Sequence, residues 1–143
     1  MHAVVVSNEK ERKDAFSVRQ HVFVEEQEVP LSLEQDAFDA TATHLVLYEG
    51  EVPIGAGRIR SLEGYGKIER VCVLATARHQ GAGRALMEAI EAAASRSHSS
   101  CKLNAQTHAA RFYTKLGYEV VSEPFLDAGI PHVTMVKTLK NST

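Results

Sequence analysis

Three places in this sequence combine a residue type with a setting that invites chemistry. From Arg78 to Arg84 the chain reads Arg-His-Gln-Gly-Ala-Gly-Arg, a glycine turn with an arginine at each end. Gly81 and Gly83 carry no Cβ, so the turn can take unusual dihedrals and a ligand can approach its backbone. A helix starting there would offer free N–H groups and partial positive charge, and a diphosphate suits such a site. Glu69 is the second place. It is a carboxylate within Lys67-Ile-Glu-Arg-Val-Cys-Val-Leu74, a β-branched run in which a charge needs a partner or a task. Strict alternation puts Glu69, Val71 and Val73 on one face of that strand. Tyr113 is the third, a phenol on the apolar side of a short helical segment. Its hydroxyl needs a partner if buried, and at a reference pKa of about 10 it keeps its proton at neutral pH.

Familiar phosphate motifs do not fit the glycine turn. A P-loop requires Gly-Lys-Ser/Thr, and Gly83 is followed by Arg84 and Ala85. A dinucleotide fingerprint requires a small residue where Leu86 stands. Cys72 and Cys101 lie inside apparent strands without metal spacing, and no His-x-x-x-His pair occurs, so no metal is expected. Cys72 reads as a small apolar strand residue before it reads as a nucleophile.

These residues need elements to hold them. With 143 residues and 44% hydrophobic content, one domain spanning 1–143 with a substantial core is expected. Sixteen basic against eighteen acidic residues leave −2, with no sign of a nucleic-acid groove or membrane patch. No apolar run or signal-like opening points to a membrane, so a cytoplasmic protein is expected, with a homodimer left open.

Ala3–Val6 reads as a strand. Asn8 with Glu11 starts a helix that runs to about Phe23, with Ala15, Phe16, Val22 and Phe23 on its apolar side. Arg19 falls on that side too, where Glu26, Asp36 and Asp39 are available to pair with it. Val24–Thr43 has no period and is long for a connection, which favours a functional loop over a merely solvated one.

His44–Glu49 and Val52–Ser61 form a hairpin around Gly50, and Gly64–Gly66 turns into the Lys67–Leu74 strand. Ala85–Ala94 is a helix with Leu86, Met87, Ile90, Ala93 and Ala94 on one face. Lys102–Gln106 is a strand, and Ala109–Leu116 a short helix capped by Gly117, with Ala109, Phe112, Tyr113 and Leu116 inward. Two strands, Tyr118–Glu123 and His132–Lys137, close the chain around a turn at 127–131, ahead of a polar tail at 140–143. The strand–helix–strand unit from Lys67 to Gln106 predicts a parallel pair by right-handed crossover, with antiparallel neighbours making a mixed α/β sheet.

Arg-x-x-Gly-x-Gly at 78–83 resembles the coenzyme A pyrophosphate loop of the GNAT superfamily of N-acetyltransferases. Phe112-Tyr-Thr-Lys-Leu-Gly-Tyr118 resembles that family's late Phe/Leu-Tyr-x-Lys-Leu-Gly-Phe/Tyr segment, and the element order matches over nearly the whole chain. Arg19-x-x-Val-Phe, Glu26-Gln27, Leu103-Asn-Ala-Gln106 and Gly129-Ile-Pro-His132 resemble the small bacterial ElaA/YjcF-like branch.

The resemblance implies acetyl-CoA as cosubstrate and an amine as acceptor. It implies pantetheine bonding along Val71, Cys72 and Val73, and pyrophosphate held by Arg78, His79, Gln80, Gly81, Ala82, Gly83 and Arg84. Phe112 joins the coenzyme contacts. Gln106 stands where the family often has a coenzyme-contacting Asn. Tyr113 is the implied acid for the departing thiolate. Glu69 is either a base acting through water or an ion-paired residue, with Lys67 or Arg19 as partner. Glu26, Gln27 and His132 would line the acceptor side, His132 alternatively serving its turn. Two other readings stay open: a non-catalytic acyl-CoA-binding module, and an acyl-homoserine-lactone-type synthase, which the short chain disfavours.

Overall fold

The computed structural model describes residues 1–139, and the polar tail at 140–143 lies outside the described residues. In chain order the elements are β1 (His2–Val5), α1 (Glu9–Arg19), a π-helical stretch (Gln20–Glu26), α2 (Leu31–Glu34), a 3-10 turn (Ala37–Ala40), β2 (Thr43–Glu49), β3 (Val52–Leu62) and β4 (Tyr65–Val73). There follow a 3-10 turn (Ala75–Ala77), α3 (Ala82–Ala94), β5 (Ser100–Gln106), a 3-10 turn (Thr107–Ala109), α4 (Ala110–Lys115), β6 (Glu119–Val120), β7 (Phe125–Asp127) and β8 (Ile130–Thr138). The strands form one sheet in the order β1-β2-β3-β4-β5-β8-β6, with β7 also on β8. β4 and β5 run parallel and the other pairings are antiparallel, so the mixed sheet is as the sequence predicts. β7 was not anticipated. The final turn tightens to Ala128 and Gly129, both at positive φ, which lets Phe125–Asp127 pair with Ile130–His132.

Each face of the sheet carries its own core. On one, Leu86, Met87 and Ile90 of α3 pack with Ile68, Leu103 and Tyr118. Full burial of each such aliphatic side chain contributes about 1.5–3 kcal/mol, so packing rather than propensity seats α3. On the other, Ala15, Val18 and Val22 pack on Val46, Ala56 and Cys72. The Asn8 side chain caps α1 by accepting from the Glu11 N–H at 2.8 Å. Beyond Arg19 the coil widens instead of continuing as α-helix to Phe23, and Gln27 N–H reaches the Val22 carbonyl at 3.1 Å. Val22, Phe23, Glu26 and Gln27 thereby share the side facing the middle of the sheet.

Two irregularities of β4 create the opening they face. Across β3, Arg58 is opposite Glu69 but Ala56 is opposite Cys72, so β4 carries an extra residue there. Arg70 takes φ of 59° in this bulge. The insertion reverses the alternation. Glu69 therefore does not share a face with Val71 and Val73, contrary to the sequence expectation: Val71 and Val73 pack against the α3 core, whereas Cys72 belongs to the α1 core. Second, β4 and β5 pair at Gly66–Cys101, Lys67–Lys102 and Ile68–Leu103 and then part. From Glu69 onward the edge of β4 toward β5 has no strand partner.

Candidate active site

The parted strands enclose a cleft of about 760 Å³, a size suited to a small-molecule ligand. Ten residues singled out from sequence line it: Glu26, Gln27, Glu69, Val71, Cys72, Val73, Arg78, Gln106, Tyr113 and His132. His79, Gln80, Gly81, Ala82, Gly83, Arg84 and Phe112 do not. The first six sit beyond Arg78, around the start of α3, and Phe112 of α4 packs beside Gly83.

Tyr113 is 8% exposed, with its ring set edge-on against Phe112 and Tyr118. Among the described residues its hydroxyl has no hydrogen-bond partner. It is also not a sealed atom, because the buried side-chain N and O atoms without partners are Glu34 Oε1 and His44 Nδ1. Burial, reinforced by Cys72, pushes the phenol well above its ordinary range, so the proton stays on. Burial likewise pushes the Cys72 thiol up to about 12, which leaves no thiolate for a nucleophilic role.

Glu69 is tied into a buried charge lattice. Arg58, 1% exposed, donates to Glu69 Oε1 from Nε at 3.1 Å and Nη2 at 2.8 Å. Arg60 and Lys67 each approach Glu69 Oε2 at 3.4 Å. Burial opposes the charge on Glu69, but Arg58, then Lys67 and Arg60, outweigh it and hold the carboxyl below its ordinary value. Arg19 is not a partner of Glu69. It donates to Glu34 Oε2 and Asp39 Oδ1, each at 2.8 Å. Of the carboxylates expected for Arg19, only Asp39 serves it: Asp36 accepts from Arg58 and Glu26 pairs with Arg78. Asp39 Oδ1 also accepts from Arg58 Nη1 at 2.8 Å, so one carboxylate joins the two buried guanidinium groups. The lattice pins the segment between the π-helical stretch and β2 to the sheet, which gives that long loop its fixed shape.

Gly81, at φ of 82°, precedes α3, and the helix starts at Ala82, three residues before the sequence expectation. Gly83 has a packing reason, because a Cβ there would stand 3.0 Å from the Phe112 ring. Phe112 is consequently 37% exposed over α3 rather than inward as expected. The Arg78 guanidinium, expected at phosphate, donates to both Glu26 oxygens, at 2.6 Å and 2.7 Å, while its Nε donates to the Val73 carbonyl at 3.0 Å. The Arg78 hydrogen bond holds the Glu26 carboxyl below its ordinary value.

At the far end Gln106 Nε2 donates to Gln27 Oε1 at 2.9 Å, and His108 Nε2 meets Gln106 Oε1 at 2.7 Å. His132 lies opposite Gln106 on β8, stacked on Phe125. The cleft thus combines an open phenol and an unpaired strand edge, and beyond its Arg78 end lies the N-terminus of α3.

An acetyltransferase (GNAT) domain model matches residues 6–139. The chain belongs to the GNAT acetyltransferase family. It is 53% identical over 139 residues to YjcF of Bacillus subtilis, an uncharacterized N-acetyltransferase, covering 96% of this chain and 99% of that one. An acyl-CoA N-acyltransferase structure from Pseudomonas aeruginosa matches with a TM-score of 0.85 at 29% identity, over 96% of this chain and 100% of that one. ElaA of Escherichia coli shares the fold, with a TM-score of 0.86 at 23% identity over 96% and 99% of the two chains.

Several residues of this GNAT cleft were missed from sequence. Arg58 carries the same signal as Arg19, a charge inside an apolar run. Arg70 sits at the bulge and donates to the Leu33 and Glu34 carbonyls at 3.1 Å and 3.0 Å. Asn104 and His108 also line the cleft; Asn104 falls inside the Leu103–Gln106 stretch, whereas nothing in its local sequence marks His108.

Proposed function

We propose that this GNAT protein transfers an acetyl group from acetyl-CoA to a primary amine by direct attack. The observation that carries the reading is the parting of β4 and β5 beside an unpartnered Tyr113 hydroxyl. The open edge of β4 at Val71–Val73 suits an extended, amide-bearing chain adding as a strand, and the N-terminus of α3 suits its diphosphate. Acetyl-CoA supplies the thioester, and the protein supplies position, which replaces much of the entropic barrier. Tyr113 Oη donates its proton to the departing sulfur as the carbon–sulfur bond breaks. Glu69, held ionised by Arg58, is a weak proton acceptor, and its stronger role is to anchor the lattice behind the cleft. Phe23, Val29 and Leu33 give the α1 side of the cleft an apolar wall, which favours an acceptor with an apolar body.

The test is a screen of polyamines, amino-acid amides and lysine peptides with acetyl-CoA, read as thiol release. Amine-dependent release that disappears in Tyr113→Phe supports the reading. Coenzyme A binding with no release for any amine would favour a non-catalytic acyl-CoA-binding module instead.

A further inference from the structure

We propose that His132 is the group that takes the proton from the acceptor amine, an assignment that rests on the acetyl-transfer reading above. The geometry fixes which nitrogen can do so. His132 Nδ1 lies 2.6 Å from the carbonyl oxygen of Ile130. A carbonyl oxygen only accepts, so Nδ1 carries the hydrogen and Nε2 keeps the lone pair in the neutral ring. Nε2 has no hydrogen-bond partner among the described residues, and it is not sealed from the cleft that the ring lines. Phe125 stacks on the ring at 6.1 Å and 25°, which holds its orientation.

The position suits the role. Leu103 and Ala105 of β5 and Val133 and Met135 of β8 point into the α3 core. By alternation Gln106 and its register partner His132 point to the opposite, α1 side, where Gln106 meets Gln27. Tyr113 belongs to the α3 side. The open phenol and the open imidazole nitrogen therefore approach the gap between β4 and β5 from opposite faces of the sheet. A thioester lying in that gap would meet a proton donor on one side and a proton acceptor on the other.

Two carboxylates of the cleft are committed elsewhere: Glu69 is bound by Arg58, Arg60 and Lys67, and Glu26 by Arg78. His108 donates from Nε2 to the Gln106 amide oxygen, so its own lone pair lies on Nδ1. On the elements packed against β8, the titratable groups near this end are Asp127 of β7 and His108; Lys102 of β5 and Glu119 of β6 sit opposite Val136, toward the other end of the strand.

In the step, the amine nitrogen forms its bond to the acyl carbon and gives one proton to Nε2. The carbon–sulfur bond breaks and the sulfur takes the Tyr113 proton. Return of the proton from imidazolium to tyrosinate resets both groups, so amine plus thioester yields amide plus thiol.

Two measurements test the assignment. Long-range ¹⁵N–¹H spectra of ¹⁵N-histidine-labelled protein need no acceptor. They should show neutral His132 with hydrogen on Nδ1 and Nε2 bare, and a ring protonated on Nε2 instead would overturn the proposal even if His132→Gln fails to fold. With an amine accepted in the screen, His132→Gln should lower kcat roughly 10²-fold, leave KM for acetyl-CoA nearly unchanged and remove the acidic limb of the pH–rate profile. A folded His132→Gln that keeps the acidic limb would sink this assignment alone. A parent protein that binds coenzyme A yet shows no amine-dependent thiol release for any amine would sink the acetyl-transfer reading, and this proposal with it.

Discussion

Glu26 and Arg78 meet across the mouth of the cleft in a two-pronged ion pair, with contacts of 2.6 Å and 2.7 Å. One partner comes from the π-helical stretch and the other from the turn before α3. If the Arg78 guanidinium is to meet phosphate, the Glu26 carboxylate that holds it has to be displaced.

Glu26→Gln should accordingly tighten coenzyme A binding. A partly exposed pair is worth about 0.2–1 kcal/mol, so the gain should reach at most roughly fivefold. Arg78→Ala should weaken binding, with a loss that shrinks at high salt. Calorimetry at two salt concentrations checks both, and weaker binding by Glu26→Gln would show that the carboxylate helps rather than competes.

At the glycine turn, Gly81→Asp places a negative charge at the start of α3 in a left-handed position where a Cβ would meet nothing within 4 Å. Aspartate tolerates that conformation better than most residues. Coenzyme A binding should be lost while the fold is kept, with the thermal midpoint lowered by a few degrees through the strain of a side chain at positive φ. Gly83→Ala should behave differently, because the added methyl presses on Phe112. Because the partly exposed ring must shift by only a few tenths of an ångström while alanine favours the helix, stability should change by no more than about 1 kcal/mol, measured by urea unfolding.

Tyr113→Phe removes only the hydroxyl. Coenzyme affinity should hardly change, while single-turnover transfer should slow roughly 10²-fold. Burial keeps the Tyr113 proton in place above the ordinary phenol range, so no loss of rate through this group is expected up to about pH 10. Equal rates for the variant and the parent would leave Tyr113 a core aromatic.

The charge lattice sets the response to acid. Burial opposes the charges on Asp39 and Glu69, but the guanidinium groups outweigh it; for Asp36 the Arg58 hydrogen bond leads. All three carboxyls lie below their ordinary values. Groups depressed on folding stabilise fully above their unfolded pKa, so urea midpoints should hold from pH 7 to about 5 and fall below about pH 4. Arg58→Ala strands buried carboxylates and should cost about 3–5 kcal/mol at pH 7, with a smaller further drop on acidification.

Much of this was legible in the sequence because it rests on local signals. The glycine turn, the amphipathic α3, the Asn8 cap and the Phe112–Tyr118 segment each announce themselves within a few residues. The bulge at Arg70 does not. Nothing in Glu-Arg-Val-Cys-Val marks an inserted residue, so a strict period of two misassigned the face of Glu69. The pairing of Arg19 and Arg58 with Asp36 and Asp39 depends on how a loop folds back, and charges distant in sequence carry no register. β7 was missed because a tight turn at positive φ began at an alanine.

The short contact between β4 and β5 has a further consequence. The sheet consists of two plates, β1–β4 and β5–β8, welded at Gly66–Cys101, Lys67–Lys102 and Ile68–Leu103 and gaping beyond. A pantetheine arm lying along Val71–Val73 would bridge the gap and act as a rivet between the plates. Cargo and scaffold are then one mechanical system. At a coenzyme concentration a hundred times Kd, the closed assembly gains about 2.7 kcal/mol against unfolding. Amides along Arg70–Val73 and Asn104–Gln106 would be the first to lose solvent exchange as the rivet goes in.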